Sequence, residues 1–153
     1  MTLCTFAGHR EVYQAKIDDR IEEALDNLLN TDSEFTFYTG GMGDFDNKCA
    51  SAVRAAKRKY PNKKICLILV LPYMSNRLNT DKDYYQYYYD EIIIPSELCG
   101  IHYKSAITAR HRWLIDLVDC LIAFVYRDFG GALETVKYAR RQGVPVINLA
   151  EQE

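Results

Sequence analysis

No stretch of this sequence approaches the roughly 20 consecutive apolar residues of a membrane-crossing helix, so no membrane association is expected. The N-terminus, Met-Thr-Leu-Cys-Thr-Phe-Ala, has neither a basic lead nor a long apolar core, which argues against a signal peptide and for a cytoplasmic protein. A basic excess is also missing. The formal charge is −2, whereas a dedicated duplex-DNA binder carries a net basic face. There is no C-x-x-C and no histidine pair at ligand spacing, so neither a metal nor a cofactor is expected. The cysteines, Cys4, Cys49, Cys66, Cys99 and Cys120, are odd in number and scattered. They fit small buried hydrophobes in a reducing compartment. Composition shifts, repeats and linkers are absent too, so residues 1–153 read as one domain.

What is present is a regular alternation of two periodicities. Thr2–Ala7 reads as a strand ending at Gly8-His9-Arg10, and Ile17, Ile21, Ala24, Leu25, Leu28 and Leu29 then recur at helical spacing. Glu34–Thr39 is β-branched and aromatic, a second strand. A helix follows from about Asn47 to Tyr60, with a basic end that suits a C-terminus. Lys64–Leu71 is a continuous apolar run, the pattern of a strand covered on both faces. Asp81–Asp90 reads as a short tyrosine-rich helix, Glu91–Ile94 as a short strand, and Lys104–Leu117 as a helix. Strand Cys120–Val125, a helix after Gly130-Gly131 and a last strand Val144–Leu149 complete the chain. This order predicts an α/β fold, a three-layer α/β/α sandwich with a mainly parallel sheet.

In such a sheet, ligands bind beyond the C-terminal strand ends. Those ends carry Gly8-His9-Arg10, Gly40-Gly41-Met-Gly43-Asp44, Pro72-Tyr73 and Gly130-Gly131. Four such loops are expected to meet in one crevice. Gly40, Gly41 and Gly43 let backbone approach a phosphate or ribose, and Gly130-Gly131 opens a helix whose free N–H groups and dipole attract an anion. Asp44 and Asp46 are either helix caps or ligand contacts. At about 100° per residue, Arg110 flanks the apolar face of its helix and Arg112 points to solvent, so Arg110 is the expected anion contact. Arg10 is another, and Thr135 is a weaker candidate for the same pocket. His111 reads as a core residue before a ligand contact. His9 is either a structural hydrogen-bond partner or a general acid or base. Tyr73 stacks on a base or is an ordinary surface tyrosine, and Tyr84–Tyr89 reads as a dimer interface or a lid.

Phe6-Ala-Gly-His-Arg10, Gly40-Gly-Met-Gly-Asp44, Arg110-His-Arg-Trp-Leu-Ile-Asp116 and Gly130-Gly131 with Thr135 and Tyr138-Ala139 together resemble the SLOG superfamily. That Rossmann-like group contains the cytokinin-activating LOG enzymes and the DNA-processing protein of natural transformation. The chain looks most like its YpsA-like bacterial and phage members, over nearly its whole length. LOG-type hydrolases carry Pro-Gly-Gly-x-Gly-Thr-x-x-Glu here, and aligning Gly131-Ala132 on that Gly-Thr puts Thr135 where their catalytic glutamate stands. Glu134 is one position out. The resemblance therefore implies binding of a nucleotide or nucleotide-derived molecule, by a sensor, scavenger or regulatory module that is a homodimer, without LOG-type hydrolysis. The enzymatic alternative is a nucleotide N-glycosidase, phosphoribohydrolase or deoxyribosyltransferase. It needs a carboxylate at the anomeric carbon, for which Glu134, Asp44 and Asp116 are the candidates, with His9 a further acid–base candidate. Single-stranded DNA binding is a third reading.

Overall fold

Alternate residues of each buried strand face opposite layers, and both sets are apolar. Phe35, Phe37, Ile65, Leu67 and Leu69 share one layer with Phe6; Ala7, Leu121 and Ala123 lie in another with Val136 and Ala139. That pattern suits a sheet sandwiched between helices, which is what the computed structural model shows. It describes residues 1–13, 16–74, 78 and 80–151. Among these, β1 (Thr2–Gly8), β2 (Glu34–Thr39), β3 (Lys64–Val70), β4 (Glu91–Ile93), β5 (Cys120–Phe124) and β6 (Val146–Asn148) form one sheet. Its order is β4-β3-β2-β1-β5-β6, and every pairing is parallel. The fold is a Rossmann-like α/β sandwich.

Helices α1 (Ile17–Leu29) and α2 (Asp44–Lys59) bury Ile21, Leu25, Phe45 and Val53 on the first layer, together with tyrosines at and after α3 (Lys82–Tyr88). On the opposite face, α4 (Tyr103–Leu117) and α5 (Gly131–Arg141) contribute Leu114, Ile115, Val136 and Ala139. From β1 the chain winds outward through β2 and β3 to β4, then crosses back to place β5 on the other side of β1. Winding reverses at β1, so the loops after β1 and β5 leave toward opposite faces and open a crevice between them. No described helix is long and apolar enough to cross a membrane.

Two of the differences from the boundaries read from periodicity have identifiable causes. Helix α2 starts at Asp44 rather than near Asn47, because Gly43 turns the chain at φ 93° and the Arg10 carbonyl takes the Asp44 N–H at 2.7 Å. The last strand is Val146–Asn148 rather than Val144–Leu149. Pro145 has no N–H to give the ladder, and the Val144 N–H is taken by the Ala139 carbonyl at the end of α5. All five cysteines are free thiols: Cys4, Cys49 and Cys120 are buried, Cys66 half-buried and Cys99 exposed.

Gly8 owes its identity to packing. A Cβ there would lie 2.4 Å from the ring of Phe45, whereas one on Gly131 would meet nothing within 4 Å. Gly8→Ala should therefore destabilise the fold by about 1–3 kcal/mol through overpacking. Gly131→Ala, inside the first helical turn, should be neutral or stabilising by up to about 1 kcal/mol. Urea denaturation midpoints of the two variants check this, and equal midpoints would refute it.

Candidate functional site

The C-terminal edge of the sheet is organised by a buried cation. Arg110, on α4, is 1% exposed. Its Nη1 donates to the carbonyls of Gly40 at 3.3 Å and Val70 at 3.5 Å, where β2 and β3 end. Those carbonyls have run out of strand partners, and the guanidinium supplies charged donors for them. Gly40 is glycine for this reason, since a Cβ would sit 2.7 Å from the guanidinium carbon. The guanidinium Nη2 lies 3.4 Å from His111 Nε2. Because a guanidinium only donates, His111 accepts as the neutral ring. Burial, and then the charge of Arg110, hold its pKa down at about 4. The Arg110 Nε is buried with no hydrogen-bond partner among the described residues.

Above this cation lies a cleft of about 350 Å³ between the β1 and β5 loops. Arg10, Arg110 and Arg127 line it, together with His9, His111 and the Gly130-Gly131 start of α5. Gly130 takes φ 104° to turn the chain into the helix. A Cβ on either glycine would meet nothing within 4 Å, so no side chain crowds the start of α5, where the first N–H groups lack intrahelical partners. His9 serves the loop geometry: its Nε2 accepts the Tyr126 N–H at 3.2 Å. Burial, and then the nearby Arg127 charge, lower its pKa. As an acceptor through Nε2 it is a neutral hydrogen-bond partner in this arrangement.

Among the described residues one carboxylate reaches this cleft, Asp46, on the first turn of α2. Its side chain accepts the Met42 N–H at 3.4 Å. Burial pushes its pKa up to about 7, against the opposing pull of Arg110 and of the Met42 hydrogen bond. A carboxyl balanced near neutrality beside a buried cation can hold or release a proton at physiological pH.

The expected single crevice is in fact two. Gly40, Gly41 and Tyr73 line a second cleft, of about 630 Å³, together with Asn47, Asp81, Tyr84, Tyr85 and Tyr89. Met42 lines both clefts. Gly43 lines neither: its positive φ turns the chain into α2, and a Cβ there would press on the Arg10 backbone at 2.9 Å.

Several sequence candidates lie elsewhere for identifiable reasons. The Thr135 hydroxyl turns back to the Gly131 carbonyl at 3.0 Å and is buried against the core. Glu134 is exposed, 3.8 Å from Lys137, and Asp116 accepts from the Tyr138 hydroxyl on the outer face. Asp44 is exposed and accepts the Val12 N–H at 3.2 Å, bracing the β1 loop rather than facing the cleft. Arg112 is exposed, its guanidinium 5.2 Å from the Tyr138 ring centre. In the sequence Asp46 stands with Asp44 as a cap or a ligand contact, with nothing to separate the two. The signal that could have singled it out was its phase: with Phe45, Cys49, Ala50 and Val53 it falls on the buried side of α2. Among the described residues no group of three or more His, Cys, Asp or Glu could hold a metal ion.

Two solved structures of DNA processing protein A share this architecture. The Helicobacter pylori protein, whose structure concerns its single-stranded DNA binding mode, superposes with a TM-score of 0.63 at 16% identity, over 95% of this chain and 63% of its own. The Streptococcus pneumoniae protein gives 0.64 at 17% identity, over 95% of this chain and 49% of its own. At these identities the likeness is one of fold, and this chain spans less than two thirds of either. No protein-family model and no curated protein matches the sequence.

Asp46 makes the stability pH-dependent in a defined direction. The unfolded chain loses this proton near pH 4, whereas the folded chain keeps it until about pH 7. The folded state thus binds the extra proton between those values, so stability from this group falls as pH rises through them and is fully present only below. Asp46→Asn removes this dependence. Between about pH 5 and about pH 8 the variant should gain on the parent by roughly 1.4 kcal/mol for each unit of raised pKa traversed. Urea titrations of both proteins across that range test it, and a constant difference would show that Asp46 titrates normally.

Proposed function

We propose that this chain binds a phosphorylated nucleotide, by its phosphate, in the cleft between the β1 and β5 loops. The observation that carries the reading is the charge balance of that cleft. Three arginines face one carboxylate of pKa about 7, at the open start of an α-helix. Arg110 contributes a fixed positive field from below, while exposed Arg10 and half-buried Arg127 supply forks that can close on phosphate oxygens. Gly130 and Gly131 add backbone donors without side chains in the way. The hydrolytic alternative loses Glu134, Asp44 and Asp116, which lie outside the cleft, and would have to run through Asp46; binding is the function supported best.

A single-stranded DNA end is the second reading. It is favoured by the aromatics beside the same cleft, where Tyr126 is 58% and Phe129 65% exposed. The Arg127 guanidinium lies 5.3 Å from the Tyr126 ring centre. Basic groups interleaved with exposed rings suit a single strand, and the Helicobacter pylori neighbour is a single-stranded DNA binder.

Calorimetry on the intact chain with AMP, ribose 5-phosphate and a short oligothymidylate separates these readings. AMP and ribose 5-phosphate should both bind, and Arg10→Ala or Arg127→Ala should weaken each by about 10-fold or more, the loss of a charged hydrogen bond. No binding of either compound would overturn the proposal. Oligothymidylate binding tighter than AMP and falling steeply with salt would establish the second reading instead.

A further inference from the structure

We infer that the tyrosine-lined cleft is the base subsite for the nucleotide whose phosphate the arginine cleft takes. This rests on the phosphate-binding reading and adds where the base goes. Met42 lines both clefts as a ridge they share, and its Sδ lies 3.8 Å from Arg110 Nη1. A ligand anchored over Arg110 that crosses this ridge enters the second cleft directly.

The chemistry of the two clefts is complementary. The described lining of the second has no lysine or arginine, so it does not compete for the phosphate. Its walls are rings. Tyr84 and Tyr85 meet edge to face at 5.4 Å, and Tyr85 stacks on Tyr89 at 6.2 Å with 24° between planes. Tyr85 and Tyr89 are anchored against the core, whereas Tyr73 and Tyr84 are 39% and 53% exposed. Rings held rigidly at their backs and open on one side form a stacking platform, which every nucleobase can use. Asn47 and Asp81 provide the polar edge a base requires once stacked. Asp81 precedes α3 but makes no capping hydrogen bond there, so helix capping does not engage its carboxylate. A volume of about 630 Å³ holds a base with space remaining.

Calorimetry with AMP, ribose 5-phosphate and adenosine tests this on the full chain. AMP should bind more tightly than ribose 5-phosphate, with adenosine weak but sensitive to the same tyrosines. Tyr84→Ala and Tyr73→Ala should each lower AMP affinity by about 5-fold or more, as loss of one base-stacking contact does, and leave ribose 5-phosphate binding unchanged. Tyr84→Phe, which keeps the ring, should retain AMP affinity. Both positions are exposed enough for the fold to survive, which circular dichroism verifies. Equal affinities for AMP and ribose 5-phosphate, or an AMP advantage that survives both alanine variants, would overturn the inference while leaving phosphate binding intact. An advantage abolished by Phe129→Ala instead would move the base to the rim of the arginine cleft and also overturn it. If neither phosphate compound binds, the phosphate reading fails first and the base subsite with it.

Discussion

The buried guanidinium of Arg110 is the constraint on which the C-terminal edge of this sheet depends. An arginine withdrawn from water is expensive unless dipoles and charges compensate it. Here the terminal carbonyls of β2 and β3 and the nearby Asp46 carboxyl supply that compensation. The arrangement ties α4 to strands it does not follow in sequence. It requires a glycine at position 40, helps keep His111 neutral, and opposes the burial that raises the Asp46 pKa. Removing the cation would leave two strand-end carbonyls and a buried carboxyl to find other partners.

Topology decides where this constraint acts. Because winding reverses at β1, the loops after β1 and β5 diverge, and a crevice opens above the middle of the sheet. The β2 and β3 ends lie on one side of that crevice. With Arg110 drawn beneath them and Met42 standing above, they form a wall that divides the strand-end surface in two. One half is cationic and the other aromatic, each built from loops of different strands.

The fold was legible in the sequence because its signals are local. Continuous apolar runs such as Lys64–Val70 and the i, i+4 spacing of Ile17, Ile21 and Leu25 need no tertiary context. Strand-end glycines marked the edge of the sheet where the two clefts lie. What could not be read was which job each glycine does. Gly8 and Gly40 are occupied by Phe45 and Arg110, contacts made across the fold, while Gly130 and Gly131 face open space. The same limit applies to polar residues. Thr135 bonds its own helix, a choice set by a rotamer, and Asp46 differs from Asp44 only in the direction it faces on the first turn of α2. Direction is settled when α2 packs on β1, so the sequence offered both carboxylates without saying which one meets the cleft.

The raised pKa of Asp46, about 7, has a further consequence for whatever enters its cleft. A carboxyl near its titration point is a charge regulator: it adjusts its own ionisation to the field around it. A phosphate dianion arriving above Arg110 would make the ionised carboxyl less favourable and draw a proton onto it. Ligand and proton would then arrive together, and the heat of binding would depend on the ionisation enthalpy of the buffer. Such a cleft would discriminate by charge state as well as by shape, tightening on dianions as the solution becomes more acidic.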